Sequence, residues 1–187
     1  MAVMSRDEAL ELLQRHIKSA RMLSHSLATE AVMRALARRL GRDEEQWARA
    51  GLLHDLDVEF TNADLTIHGR ETERILREQG VDEESIEAIV MHNEVVSGKK
   101  RATEFQHALA AGETVTGMIV ATALVYPDKK LASVKSKSVV KRMKEKAFAA
   151  SVNRDVIMEC ERLPIPLPEF AEIALRAMQS ISDELEL

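Results

Sequence analysis

Cysteine is almost missing from this sequence: Cys160 is the single one in 187 residues. No intrachain disulfide can form and no thiolate metal cluster can be built, which fits a reducing compartment. Glycine and proline are also scarce, with 7 and 4 residues. Turn signals are therefore few, and abundant Ala, Leu, Glu and Arg favour helices over strands. Aromatic residues make up only 3% of the chain, which leaves little for the stacking platforms of single-stranded nucleic-acid binding. Long hydrophobic runs are missing too. The longest, Met118 to Tyr126, falls well short of the ~20 residues that span a bilayer. The segment Met1 to Asp7 meets acidic residues at once and lacks the apolar stretch of a secretory signal. Together these absences predict a cytoplasmic protein with no membrane partner.

What is present is ordinary for a globular chain. Hydrophobic residues at 45% and charged residues at 30% exclude disorder. The formal net charge of -5 gives no overall attraction to nucleic acid, which is disfavoured as a partner. The length suits a single domain with a sizeable core over residues 1–187.

Start and stop signals divide the chain into helices. Ser5-x-x-Glu8 reads as a capping box that opens a helix through about Ala20. A second helix begins near Ser24, carries Ala28, Val32, Ala35 and Leu36, and stops at Gly41. Asp43 opens a third that ends at His54. The polar stretch Asp55 to Thr66 reads as a loop. Helices follow over Gly69 to Gln79 and from Asp82 past His92, and Asn93 to Thr103 reads as an exposed loop. A long apolar helix is predicted from Glu104 to about Val125, ended by Pro127. A helix near Ser138 to Ala150 comes next, then a short one around Asp155 to Glu161. The last helix has Pro168 in its first turn, and its apolar face can pack on its own domain or on a second copy, so a homo-oligomer is compatible. No alternating strand pattern or internal repeat is present. The expected fold class is all-α, a single compact helical bundle.

The chemistry concentrates in Gly51-Leu52-Leu53-His54-Asp55, an apolar helix ending in His and Asp. Imidazole nitrogen and carboxylate oxygen suit catalytic Mn, Fe, Zn or Mg ions. His25 lies in register with Ala28 and Val32 on a buried stripe. Glu113 interrupts the long apolar helix, between Leu109 and Thr116, where an unpaired carboxylate is costly. His68 opens the helix after the His-Asp segment, and His92 shares a face with Ile89. Taken singly, each of these is compatible with a hydrogen-bonded core or helix-end residue; together they form a candidate ligand set. His16 and His107 lack such surroundings and read as surface residues.

The order His25, His54-Asp55 and an acidic residue at 113 resembles the H…HD…D signature of HD-domain metal-dependent phosphohydrolases. The segment Ala108 to Val125 and its continuation Tyr126-Pro127-Asp128-Lys129-Lys130-Leu131 also resemble a group of small bacterial and archaeal HD-domain hydrolases. The similarity runs from about Arg6 to Leu185. It implies an all-helical HD-type domain and a divalent metal cofactor, Mn, Fe, Zn or Mg, with one or two ions per chain. His25, His54 and Asp55 match the first three ligands, and Glu113 stands where Asp is usual, one methylene longer. His68 and His92 match the extra histidines of two-metal members. No GYP motif is present, and Val58 stands where the HD-domain nucleotidases carry Glu, so neither of those subgroups is supported.

The resemblance implies a phosphohydrolase acting on a phosphorylated small molecule or nucleotide. In that reading Asp55 bridges two ions, with His25, His54 and Glu113 on one and His68 and His92 on the other. Asp57 or Glu59 is the candidate proton donor to the leaving group, on nearness alone. Lys129 and Lys130, from a run that continues through Lys135, Lys137, Lys141, Arg142, Lys144 and Lys146, are candidates to hold an anionic substrate. The run also fits a solvated helix face. Two other functions suit the same residues: a di-iron oxygenase of the superfamily, and a non-catalytic metal- or ligand-binding regulatory module.

Overall fold

Capping sets where the helices begin. The computed structural model describes residues 3–187; Met1 and Ala2, part of the segment read against a secretory signal, lie outside them. Helix α1 (Arg6–His16) opens on the capping box of Ser5 and Glu8. The chain extends at Ile17, and Ser19 then caps α2 (Ala20–Leu40), which starts a turn earlier than the sequence suggests. Asp43 caps α3 (Glu44–Leu53), and Asp82 caps α5 (Glu83–Met91) after α4 (Arg70–Glu78). Asn93 caps a short α6 (Glu94–Ser97) in the segment expected to be loop. Thr103 and Gln106 form a second capping box at the head of α7 (Glu104–Leu124). Four elements complete the chain: α8 (Ser136–Arg142), α9 (Arg154–Ile157), α10 (Leu167–Gln179), with Pro168 in its first turn, and α11 (Ser182–Leu185). Short 3-10 turns lie at Leu131–Ser133 and Met158–Arg162. Among the described residues there is no strand, as the composition predicts.

The core forms where α2, α3, α5, α7 and α10 meet. Leu12, Leu13, Val32, Met33, Leu36, Leu53, Ile89, Leu109, Met118, Ile119 and Phe170 are all buried there. Trp47 of α3 stacks on Phe105 of α7, ring centroids 4.7 Å apart and nearly parallel. Helix α7 is the central element. By length and composition alone it could cross a membrane, yet most of that stretch is buried by the other helices of this fold.

The stretch from Asp55 to Thr66, expected to be a loop, lies outside the helices and is built of hydrogen-bonded turns, bonded from Val58 to Asp55 and from Thr61 to Asp57, with Asn62 and Ala63 at positive φ. One expectation needs correction. The helix expected to reach Ala150 stops at Arg142. The Arg154 guanidinium takes up the carbonyls of Arg142, Met143 and Glu145, which a continuing helix would need for its own ladder, together with those of Phe148, Ala149 and Val152 beyond them.

Candidate metal centre

The close approach of α2 and α3 creates the first half of the site. Gly51 makes it possible: a Cβ there would stand 2.8 Å from the Thr29 carbonyl oxygen. One turn earlier on α2 is His25, and one turn later, at the C-cap of α3, is His54. Their Nε2 atoms are 3.2 Å apart. Asp55 Oδ2 lies 3.2 Å from His54 Nε2 and 3.5 Å from His25 Nε2. Glu113, half-buried on α7, borders this group with Oε2 at 3.8 Å from His25 Nε2.

The second half uses the other oxygen of the same aspartate. Asp55 Oδ1 lies 3.1 Å from His68 Nε2 and 3.4 Å from His92 Nε2, and those two nitrogens are 3.0 Å apart. His92 is the C-cap of α5. His68 immediately precedes Gly69, whose φ of 105° at the head of α4 suits glycine. Asn93 ties the pair together by donating to the carbonyls of Leu65 and His68. His25, His54 and Asp55 form one three-ligand group and Asp55, His68 and His92 another, each with its ligand atoms within 4.8 Å of one another.

Every ring in the cluster is oriented from behind. His54 Nδ1 faces the Gly51 carbonyl at 2.8 Å, and His92 Nδ1 faces that of Ile89. His68 Nδ1 is 2.7 Å from Asp57 Oδ1. His25 Nδ1 is 3.1 Å from Thr116 Oγ1, whose hydroxyl already donates to the Glu113 carbonyl and so can only accept. With each Nδ1 turned to an acceptor behind it, all four Nε2 atoms face inward toward the two oxygens of Asp55, where each can offer a lone pair to a cation once it carries no proton.

The electrostatics of the metal-free protein follow. Burial pushes the Asp55 carboxyl up, but His54, with His68 and His92, outweighs it and holds the group well below the usual carboxylate range. Burial pulls His54 down, and the Asp55 charge overcomes it, leaving the imidazole raised. His68 is raised to about 10, because its bonds to Asp55 and Asp57 override burial. His25 is lowered by burial and by neighbouring His54. A proton on His68 thus sits in a space walled by acceptors. A divalent cation fits this donor set, because it replaces that proton and satisfies imidazole and carboxylate together.

Other sequence-level candidates have different partners. Asp57 is buried, and its Oδ2 accepts from the N–H groups of Gly69, Glu71 and Thr72 at 2.8, 3.1 and 3.2 Å. Burial pushes its pKa up, but His68 and these N–H groups outweigh it and the net shift is downward. A carboxylate so held is an acceptor that caps the head of α4. Glu59 accepts from the backbone N–H of Lys18 and Ser19 and closes the head of α2. Lys129 and Lys130 are exposed on the turn beyond the C-terminal end of α7, and among the described residues no hydrogen bond or ion pair joins them to the cluster. His107, read as a surface residue, is largely buried and pairs with Glu159 at 2.7 Å. Thr116 was missed, because a threonine on a helix carries no sign of the imidazole it faces.

A family model described as HD domain matches residues 22–126, more than half of the chain and the whole span from His25 to Glu113. No curated protein and no solved structure matches the chain.

Proposed function

Since the chain belongs to the HD domain family, whose members are generally metal-dependent phosphohydrolases, we propose that it hydrolyses a phosphorylated small molecule or nucleotide at a site for two divalent ions. The observation that carries this reading is the division of Asp55, one oxygen facing His25 and His54 and the other facing His68 and His92. In it, His25, His54 and Asp55 would hold one ion beside Glu113, and Asp55, His68 and His92 would hold the other. When bound, such ions supply a water-derived nucleophile at neutral pH and positive charge for the phosphoryl oxygens.

The chain's own residues do the rest. Gly51, Thr116, Asp57 and Ile89 hold each imidazole in the tautomer that directs Nε2 inward. His25 and Glu113 are the more open members, each side chain about 21% exposed, so substrate enters on their side. The buried members, His54, Asp55 and His68, exclude bulk water from the far side. In this reading Lys129 and Lys130, exposed beyond the end of α7, act on an anionic substrate as charges at a distance.

The test is turnover of phosphate monoesters and nucleotides by protein reloaded with Mn, Fe, Zn or Mg, wild type against Asp55→Ala. The expected result is phosphate release that falls at least about a thousandfold in the variant. Comparable release by both proteins would defeat the assignment, and oxygen consumption without phosphate release would favour the di-iron oxygenase.

A further inference from the structure

Outside the ligand cluster, a buried cation with a full set of partners is Arg101, in the connection between α6 and α7. Its side chain is only 5% exposed. Nε and Nη2 donate to the two oxygens of Glu159 at 2.8 and 2.6 Å, a bidentate pair. Nη1 donates to the carbonyls of Met91 and His92 at 2.9 and 3.2 Å. Glu159 is fixed in turn by His107 Nδ1 of α7 at 2.7 Å. The Arg101 backbone N–H donates to Glu94 of α6 at 3.0 Å.

These contacts converge on the last turn of α5. That turn carries His92, and its Ile89 carbonyl receives the His92 ring. The final carbonyls of a helix have no partners within it, and here a buried guanidinium supplies them. A buried ion pair adds little stability over an apolar pair of the same volume. What the fork adds is direction: it sets how far the His92 backbone can shift or rotate relative to Asp55 and His68. Among the described residues no comparable brace reaches His25, whose ring is held through Thr116 instead.

We infer that Arg101, braced by Glu159 and His107, is a positioning residue for His92 and sets the cation affinity of the Asp55–His68–His92 group independently of the His25–His54 half. The inference rests on the cluster being a metal site, but not on the reaction performed there. Lysine at 101 keeps the charge but cannot reach Glu159 and two carbonyls with one planar fork. Glutamine at 159 keeps the shape and removes the charge that orients the fork.

The experiment is an anaerobic titration of the metal-free full-length chain with Co2+, followed by calorimetry and visible absorption. Wild type, R101K, E159Q, His92→Ala and His25→Ala are compared. The two alanine variants identify which binding step belongs to which half. The expected result is that R101K weakens the step abolished in His92→Ala by about 10–100-fold and leaves the other within about threefold. E159Q shifts the same step in the same direction, and it carries the test alone if R101K does not fold. Equal weakening of both steps, no weakening of either, or a single step in wild type would overturn the inference. Two Co2+ steps with the predicted pattern but no phosphate release would leave it standing while removing the phosphohydrolase reading.

Discussion

Each ring nitrogen of His25 has its own task, and the threonine behind it decides which. The Thr116 hydroxyl donates to the Glu113 carbonyl at 2.6 Å, so toward His25 Nδ1 it can only accept, at 3.1 Å. Thr116→Val keeps the shape and removes the acceptor. The expected outcome is metal affinity at the His25–His54 pair reduced about tenfold or more with helical content unchanged, read by titration and circular dichroism. Unchanged affinity would mean that the tautomer is fixed by something else. At this scale the sequence reveals residue types but not their partners. His25, His54, Asp55, His68 and His92 can be picked out because buried imidazole and carboxylate are few. The cap that Asp57 places on α4 is not legible, because adjacency to His54 and Asp55 in the chain says nothing of the three backbone N–H groups its carboxylate meets.

Among the elements, the crossing of α2 and α3 matters most, since it brings His25 to His54. Gly51 faces Thr29 and Met33 with no room for a methyl group. Gly51→Ala must part the two helices, and it is expected to destabilise the fold by about 1–3 kcal/mol. It also displaces the carbonyl that orients His54. Denaturant unfolding measures the first effect, and a stability equal to wild type would show that the crossing is looser than the contact implies. Helix starts are legible in the sequence at the caps Ser5, Asp43 and Asp82, but not at Asn93, whose short helix lies in a stretch that reads as loop. The early start of α2 is less so, because Ser19 caps it only after the chain has turned at Ile17. The end of α8 is not legible at all: it depends on Arg154, twelve residues beyond Arg142, gathering carbonyls through tertiary contact.

Over the whole molecule, the ligands come from the bodies of two helices (His25 of α2, Glu113 of α7), two helix ends (His54 and His92) and the segment between α3 and α4 (Asp55 and His68). Helix propensity and the scarcity of strand formers make the all-α class readable from composition. The meeting of His92 with His68 is set by packing of α4 against α5, which no local pattern specifies. The charge pattern is global too. In the metal-free protein the raised pKa of His68 contributes stability below its ordinary value near 6.5, and that contribution is lost as pH rises through about 10. Cation binding displaces this proton, so near neutral pH uptake should release acid, and calorimetry in buffers of different ionisation enthalpy checks it. An enthalpy independent of buffer would contradict the protonated His68.

The central claim is that Asp55 joins two cation sites, and the most direct measurement is metal content per chain. The protein is purified anaerobically without chelator, wild type beside Asp55→Ala, with circular dichroism confirming that both are folded. The account predicts about two ions per chain in wild type and a loss of both in the variant, since each half loses its shared carboxylate. Wild type that holds no ion even after incubation with Mn, Fe, Zn and Mg, or a variant that keeps its full complement, would contradict it.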